Sequence, residues 1–225
     1  MDNVGEVRVA ESRGKAPQFD AGFRARLYDL LKWRRDVRRF KREPLPEGAI
    51  ERLISIACLS PSVGLSEPWR FVIVEDASRR AAIRACFEAC NKDALAKQDS
   101  DRAALYARLK LAGLDDAPCQ VSVFADHSTA QGSGLGRATM PETLDYSVVT
   151  AIHTLWLAAR AEGLGVGWVS ILDPAQMRAI LDVPEHWAFI GHLCIGTPEA
   201  SDDTPALERA GWERRVPPEA AVLYR

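Results

Sequence analysis

Six of the nine residues from Arg34 to Arg42 are cationic, in a chain whose formal net charge is only −2. Like charges this dense repel one another, so the cluster calls for an anion. A planar guanidinium suits a phosphate because it offers two parallel hydrogen bonds. One carboxylate, Asp36, stands in the middle. It weakens the pull on an anion, and its cationic neighbours favour its ionised form. An ionised carboxylate beside an anion site is a candidate for proton chemistry rather than binding alone. The same stretch also reads as an exposed basic helix end, with Asp36 as a local partner of the arginines.

Other residues with chemical potential lie in three stretches. Ser60-Pro61-Ser62-Val63-Gly64-Leu65-Ser66-Glu67-Pro68-Trp69 is a turn-rich loop that offers serine hydroxyls. Serines in such a turn also serve simply as turn formers, and Trp69 reads as core. Gln131-Gly132-Ser133-Gly134-Leu135-Gly136-Arg137 lacks the third glycine of a dinucleotide fingerprint and reads as a flexible lid. Gly165-Val166-Gly167-Trp168-Val169-Ser170-Ile171 reads as a buried strand whose glycines admit close approach of a backbone or a ligand.

These stretches need a scaffold, and the apolar spacing supplies one. Phe23, Leu27, Leu30 and Leu31 have helical spacing and lead into the arginines. Ile50, Leu53, Ile54, Ala57 and Cys58 make one helix face that starts near Pro46 and stops by Pro61. Residues 78–90 and 100–112 read as helices, and 142–162 as the longest one, with Leu144, Val148, Ile152, Leu155, Trp156 and Ala159 as its stripe. A short helix spans 174–181. Strands are expected at 71–74, 119–124 and 189–195. Helices and strands alternate without an internal repeat or a linker, so the class is α/β or α+β.

Composition excludes several functions. An apolar share of 47% is ordinary for a globular chain. Five scattered cysteines read as reduced thiols of a cytoplasmic protein. The four histidines form no ligand pair, so no metal site is expected. The N-terminus has no apolar signal region, and no run approaches the roughly 18 apolar residues that span a bilayer. Near-neutral charge and the lack of interleaved aromatics argue against a nucleic-acid or lipid-binding module.

Taken in order, the R-R-x-x-R segment, the S-P-S-x-G-x-S-x-P-W-R-F loop and the late G-x-G-W strand resemble the FMN-dependent nitroreductase superfamily, over roughly residues 25–216. Within it the chain is similar to the branch that makes 5,6-dimethylbenzimidazole. Asp36 stands where ordinary members carry serine, Leu65 and Glu67 replace a flavin-edge polar residue and a glutamine, and Ser170 follows Gly167-Trp168-Val169. The segment Met140 to Ser147 also looks like this branch.

The resemblance implies an α+β, nitroreductase-like three-layer sandwich with a central, mostly antiparallel sheet flanked by helices. It implies a domain-swapped homodimer with two FMN sites at the interface, each touched by both chains. Residues 1–20 would be a polar tail, and 21–225 one FMN-binding domain with a C-terminal arm. Arg34, Arg35, Arg38 and a C-terminal Arg215, with Arg214 beside it, are assigned to the phosphate and ribityl chain. Glu213 stands where the family often has lysine. Ser62, Leu65 and Ser66 fall to the flavin loop, and Val169 and Ser170 to the N5 edge. The implied reaction consumes reduced FMN and molecular oxygen and yields 5,6-dimethylbenzimidazole and erythrose 4-phosphate, with Asp36 as base and Ser170 as hydrogen-bond donor. The reductant is left open and includes a separate flavin reductase. The rival within the same fold is an NAD(P)H-dependent nitroreductase or flavin reductase that recycles its FMN, and whether the segment from His127 to Pro141 closes over the flavin is decisive for it.

Overall fold

A computed structural model describes residues 16–96 and 113–225. The helix expected over 100–112 and most of the polar tail lie outside the described residues. Helix α1 (Ala21–Trp33) begins where the Asp20 carboxylate accepts the Phe23 N–H at 2.6 Å, an N-cap that satisfies one free donor of the first turn. None of its residues is buried. Helix α2 (Ala49–Ala57) follows Gly48, which takes φ 68°. Leu53 and Ala57 are fully buried, and Ile50, Ile54 and Cys58 pack on the same cluster, so the expected stripe is the core face.

Four strands form one antiparallel sheet in the order β1-β2-β4-β3: β1 (Trp69–Ile73), β2 (Cys119–Asp126), β3 (Gly165–Val169) and β4 (Trp187–Gly196). All eight residues of β2 are buried. Helices cover both of its faces, so the polar Gln120 and Ser122, which alternate with Val121 and Val123, are buried too and find their partner in His192 of β4. On one face Val121 and Val123 meet α2 and the long helix, here named after α3 (Ala77–Ala96) and the single turn α4 (Gly113–Asp116) as α5 (Thr143–Ala161). On the other, Phe124 and Phe40 meet Ile83 and Cys86 of α3 and Met177 and Leu181 of α6 (Pro174–Leu181). Each fully buried Leu or Ile here contributes about 1.5–3 kcal/mol. The result is three layers: helix, sheet, helix. A last short helix, α7 (Ala206–Arg209), precedes the C-terminal segment.

The outer edge of β3 positions the site. Asp36 forms a parallel bridge with Val166, and the Val37 N–H donates to the Val166 carbonyl at 3.0 Å. A Cβ at Gly167 would lie 2.3 Å from the Val37 carbonyl oxygen, and one at Gly165 would lie 2.6 Å from a Val37 methyl. The two glycines therefore serve the close approach of backbone, and the chain after α1 lies flat against the strand. Phe40 and Lys41 continue this attachment at Pro198 and Thr197.

Candidate active site

The attachment of residues 35–38 to β3 turns the arginine cluster over the end of α5. Arg34 leaves α1 in an extended conformation. Its guanidinium carbon lies 4.8 Å from the centre of the Trp156 ring, and its buried Nε has no hydrogen-bond partner among the described residues. Arg35 turns the other way. Its Nε and Nη2 donate to the Asp203 carbonyl at 2.9 and 2.6 Å, and its Nη1 to the Arg34 carbonyl at 2.7 Å. Arg38 lies 3.4 Å from Asp36.

A cavity of about 370 Å³ is lined by Arg34, Arg35, Asp36, Arg38, Trp168 and Arg215, among others. Burial lowers the affinity of both Arg34 and Arg35 for their protons, and the charge of Arg215 lowers it further. Like charges are thus gathered around one space, as an anion site requires. Arg214 does not line this cavity, and its main-chain N–H turns to the Glu213 side chain.

Asp36 is held from two sides. Its Oδ1 accepts the Trp168 main-chain N–H at 3.0 Å, and its Oδ2 faces Arg38. Even so, burial pushes the carboxyl above the usual carboxylate range, against the Trp168 N–H and the Arg38 charge. The neighbouring cations alone would favour the ionised form expected from the sequence; desolvation by the pocket wall acts in the other direction and is the larger effect. A carboxylate with a raised pKa in a cavity is suited to proton transfer.

At the end of β3, Val169 pairs with His192 of β4 and buries its side chain in the core. Ser170 follows it and is exposed.

The serine loop is a separate construction. Gly64, Leu65 and Glu67 take φ values of 56°, 55° and 41°. Left-handed backbone at Leu65 and Glu67 costs about 1–2 kcal/mol each, and such strain gathers at functional sites. It turns the Leu65 side chain out to solvent, 69% exposed. The Ser62 hydroxyl accepts the Glu67 N–H at 3.1 Å and so acts as a turn former. The Ser66 hydroxyl is buried and has no partner among the described residues. Ser147 of α5 fixes the turn by accepting the Val63 N–H at 3.1 Å. The glycine-rich loop is packed against the same turn: a Cβ on Gly132 would lie 2.6 Å from the Gly64 carbonyl oxygen, and Gln131 donates to the Leu65 carbonyl at 2.8 Å.

One chain does not bring its two groups of candidate residues together. Ser147 holds the serine turn, while the Trp156 indole N–H donates to the Arg35 carbonyl at 3.3 Å. Those anchors are nine residues apart on α5, about 13–14 Å along the helix. Trp156 and Trp168 were legible only as core residues; nothing in their spacing indicates that they wall the arginine pocket. Among the described residues no cluster of His, Cys, Asp or Glu is placed to hold a metal ion, and no helix is long and apolar enough to cross a membrane.

The fit to FMN rests on these features. An unpartnered buried Nε on Arg34, converging guanidinium charges and an unpartnered Ser66 hydroxyl are what a phosphorylated, hydrogen-bonding ligand would satisfy.

A family model described as the nitroreductase family matches residues 31–197. The 5,6-dimethylbenzimidazole synthase of Rhodospirillum rubrum is 57% identical over 201 residues, which cover 89% of this chain and 95% of the relative. The enzyme of the same name from Rhodobacter capsulatus is 48% identical over 89% of this chain and 97% of its own length. Among solved structures, oxidized iodotyrosine deiodinase bound to FMN and 3-iodo-L-tyrosine superposes with a TM-score of 0.66 at 28% identity, over 78% of this chain and 91% of that one.

Proposed function

The chain belongs to the nitroreductase family, and from that premise we propose that it is a 5,6-dimethylbenzimidazole synthase, which uses molecular oxygen to convert reduced FMN to 5,6-dimethylbenzimidazole, the lower ligand of vitamin B12, and erythrose 4-phosphate. The similarity to the two synthases supports the reaction. The observation that carries it to this site is Asp36, a carboxylate of raised pKa held inside the arginine pocket by the Trp168 N–H.

FMN supplies the reduced ring that meets oxygen and is itself consumed. The protein's own residues divide the remaining tasks. Arg34, Arg38 and Arg215 bind the phosphate, and Arg214, which lies outside the cavity lining, is not assigned a contact. Arg35, committed to the Asp203 carbonyl, fixes the 201–204 segment beneath them. Asp36 accepts a proton through Oδ2 at the ribityl carbon attached to the ring. Ser170, exposed at the end of β3, donates a hydrogen bond at the N5 edge, next to the main chain of Val169. The turn bearing Ser62, Leu65 and Ser66 comes from a second copy of the chain and excludes water from the ring. Residues 21–225 act as one FMN-binding unit, and the C-terminal arm reaches across the homodimer. With five free cysteines, the enzyme is assigned to the cytoplasm.

The test is aerobic incubation of the protein with chemically reduced FMN and identification of the products. Flavin absorbance should disappear in step with benzimidazole formation, never beyond the flavin supplied, and no product should form without oxygen. Recovery of intact oxidised FMN alone, with rapid reduction of a nitroaromatic by NAD(P)H, would overturn this reading in favour of a recycling flavoenzyme.

A further inference from the structure

Trp156 has a feature that packing does not require. It is 9% exposed and belongs to the core stripe of α5, yet it contacts both Arg34 and Arg35. Its N–H donates to the Arg35 carbonyl, and its ring lies 4.8 Å from the Arg34 guanidinium carbon. The other cations of the 34–42 cluster with fixed partners behave differently, although Arg70 and Arg160 elsewhere also lie near tryptophan rings, at 5.9 Å. Arg35 donates to carbonyls, Arg38 faces Asp36, and Arg42 is paired with Asp116 at 2.6 Å. An oxygen acceptor consumes guanidinium N–H bonds, and a carboxylate also sets a negative charge beside any incoming anion. An aromatic ring attracts the cation without accepting those N–H bonds as a carboxylate does, and without adding charge. It also offsets part of the cost of burying Arg34.

We propose that Trp156 is a positioning residue for flavin specificity: its ring holds Arg34 charged, buried and undersaturated, so that this arginine rather than Arg35 recognises the phosphate that distinguishes FMN from riboflavin. The proposal rests on the reading of the arginine pocket as the phosphate site, and the experiment separates the two.

The full-length protein, freed of flavin, is titrated with oxidised FMN and with riboflavin. In Trp156→Leu the preference for FMN should fall about five- to thirty-fold, the range expected for a desolvated cation–ring contact. Riboflavin affinity should not change, which also reports an intact fold. Trp156→Phe keeps a ring and should keep most of the preference. Arg34→Ala should lose the preference, and Arg34→Ala combined with Trp156→Leu should be no worse than Arg34→Ala alone, because Trp156 acts through Arg34. If the leucine variant does not fold, Trp156→Met is measured against the same criteria. Full preference in a folded Trp156→Leu or Trp156→Met, additive losses in the double variant, or equal losses for both flavins would overturn the proposal while leaving the phosphate site intact. An unchanged preference in Arg34→Ala would overturn the phosphate reading and the proposal with it.

Discussion

The Trp168 main-chain N–H donates to Asp36 Oδ1 at 3.0 Å, so the one carboxylate of the arginine cluster is fixed to the edge of β3 rather than left to pair freely with its neighbours. Asparagine can accept the same N–H. Asp36→Asn should therefore fold and bind FMN as the parent does, yet form no benzimidazole, since it would lack the base proposed for this reaction. In the parent, product formation should decline as pH falls, and the decline should begin above the usual carboxylate range because burial raises the Asp36 pKa. Single-turnover rates across pH check both outcomes; a parent-like rate in the variant would remove Asp36 from the chemistry.

Adjacent arginines should behave oppositely. Arg34→Ala should weaken FMN relative to riboflavin by about 10–100-fold, as expected for the loss of a charge-assisted hydrogen bond. Arg35→Ala should leave that preference unchanged and cost stability instead, on the order of 2 kcal/mol, because its donors are committed to the Asp203 and Arg34 carbonyls. Flavin titration and urea unfolding of both variants decide this.

Acid should weaken the fold through His192. The ring is fully buried, hydrogen-bonded to Ser122 at 2.8 Å and Gln120 at 3.1 Å, and burial lowers its pKa to about 3. The unfolded chain takes up this proton near pH 6.5, and the folded chain does so only near 3. Stability is therefore complete above 6.5 and is lost as pH falls from 6.5 towards 3, by about 2 kcal/mol between pH 7 and pH 5 for one such group. Gln in place of His192 keeps one donor and one acceptor but cannot take up the proton. Urea unfolding at the two pH values should show this loss in the parent and not in His192→Gln.

Helix α1 should find its cover in a second copy. It presents Phe23, Leu27 and Leu31 with no buried residue, and exposed apolar surface of this kind marks an interface. Sedimentation should give a species of twice 24.8 kDa. Leu27→Ser with Phe23→Ser should shift it towards the monomer and weaken FMN together. A dimer unchanged by both substitutions would exclude α1 from the interface.

The strained turn should be easy to stabilise at a functional cost. Leu65 sits at φ 55°, where glycine avoids a penalty of about 1 kcal/mol. Leu65→Gly should raise or preserve the melting temperature while weakening flavin binding, because the exposed side chain has no role in the isolated fold. Differential scanning calorimetry and flavin titration of the same sample test this.

Some of this was legible in the residues. The crowding of like charge at Arg34–Arg42, the stripe of α5 and the core face of α2 all follow from charge density and apolar spacing, which are local properties. The direction of each arginine was not legible. Arg35 turns to the Asp203 carbonyl only because residues 35–38 lie along β3, and that contact joins positions 168 residues apart. The raised pKa of Asp36 depends on the same burial. Left-handed backbone at Leu65 and Glu67 contradicts their intrinsic preferences and is imposed by the packing of the glycine loop on the turn. The glycines of β3 announced a close approach, but not that Val37 makes it.

The nine-residue interval on α5 between the anchor of the serine turn and the anchor of the arginines has a genetic consequence. On the proposed dimer, whose sites would be completed across two copies, a subunit lacking Arg34 and a subunit lacking a functional Ser66 turn should each be inactive when paired with themselves. A hybrid of the two concentrates both lesions in one site and leaves the other whole. Two dead alleles expressed together should therefore restore half the sites of each mixed pair, whereas Arg34→Ala expressed with Asp36→Asn, whose lesions lie on the same side of the divide, should restore none.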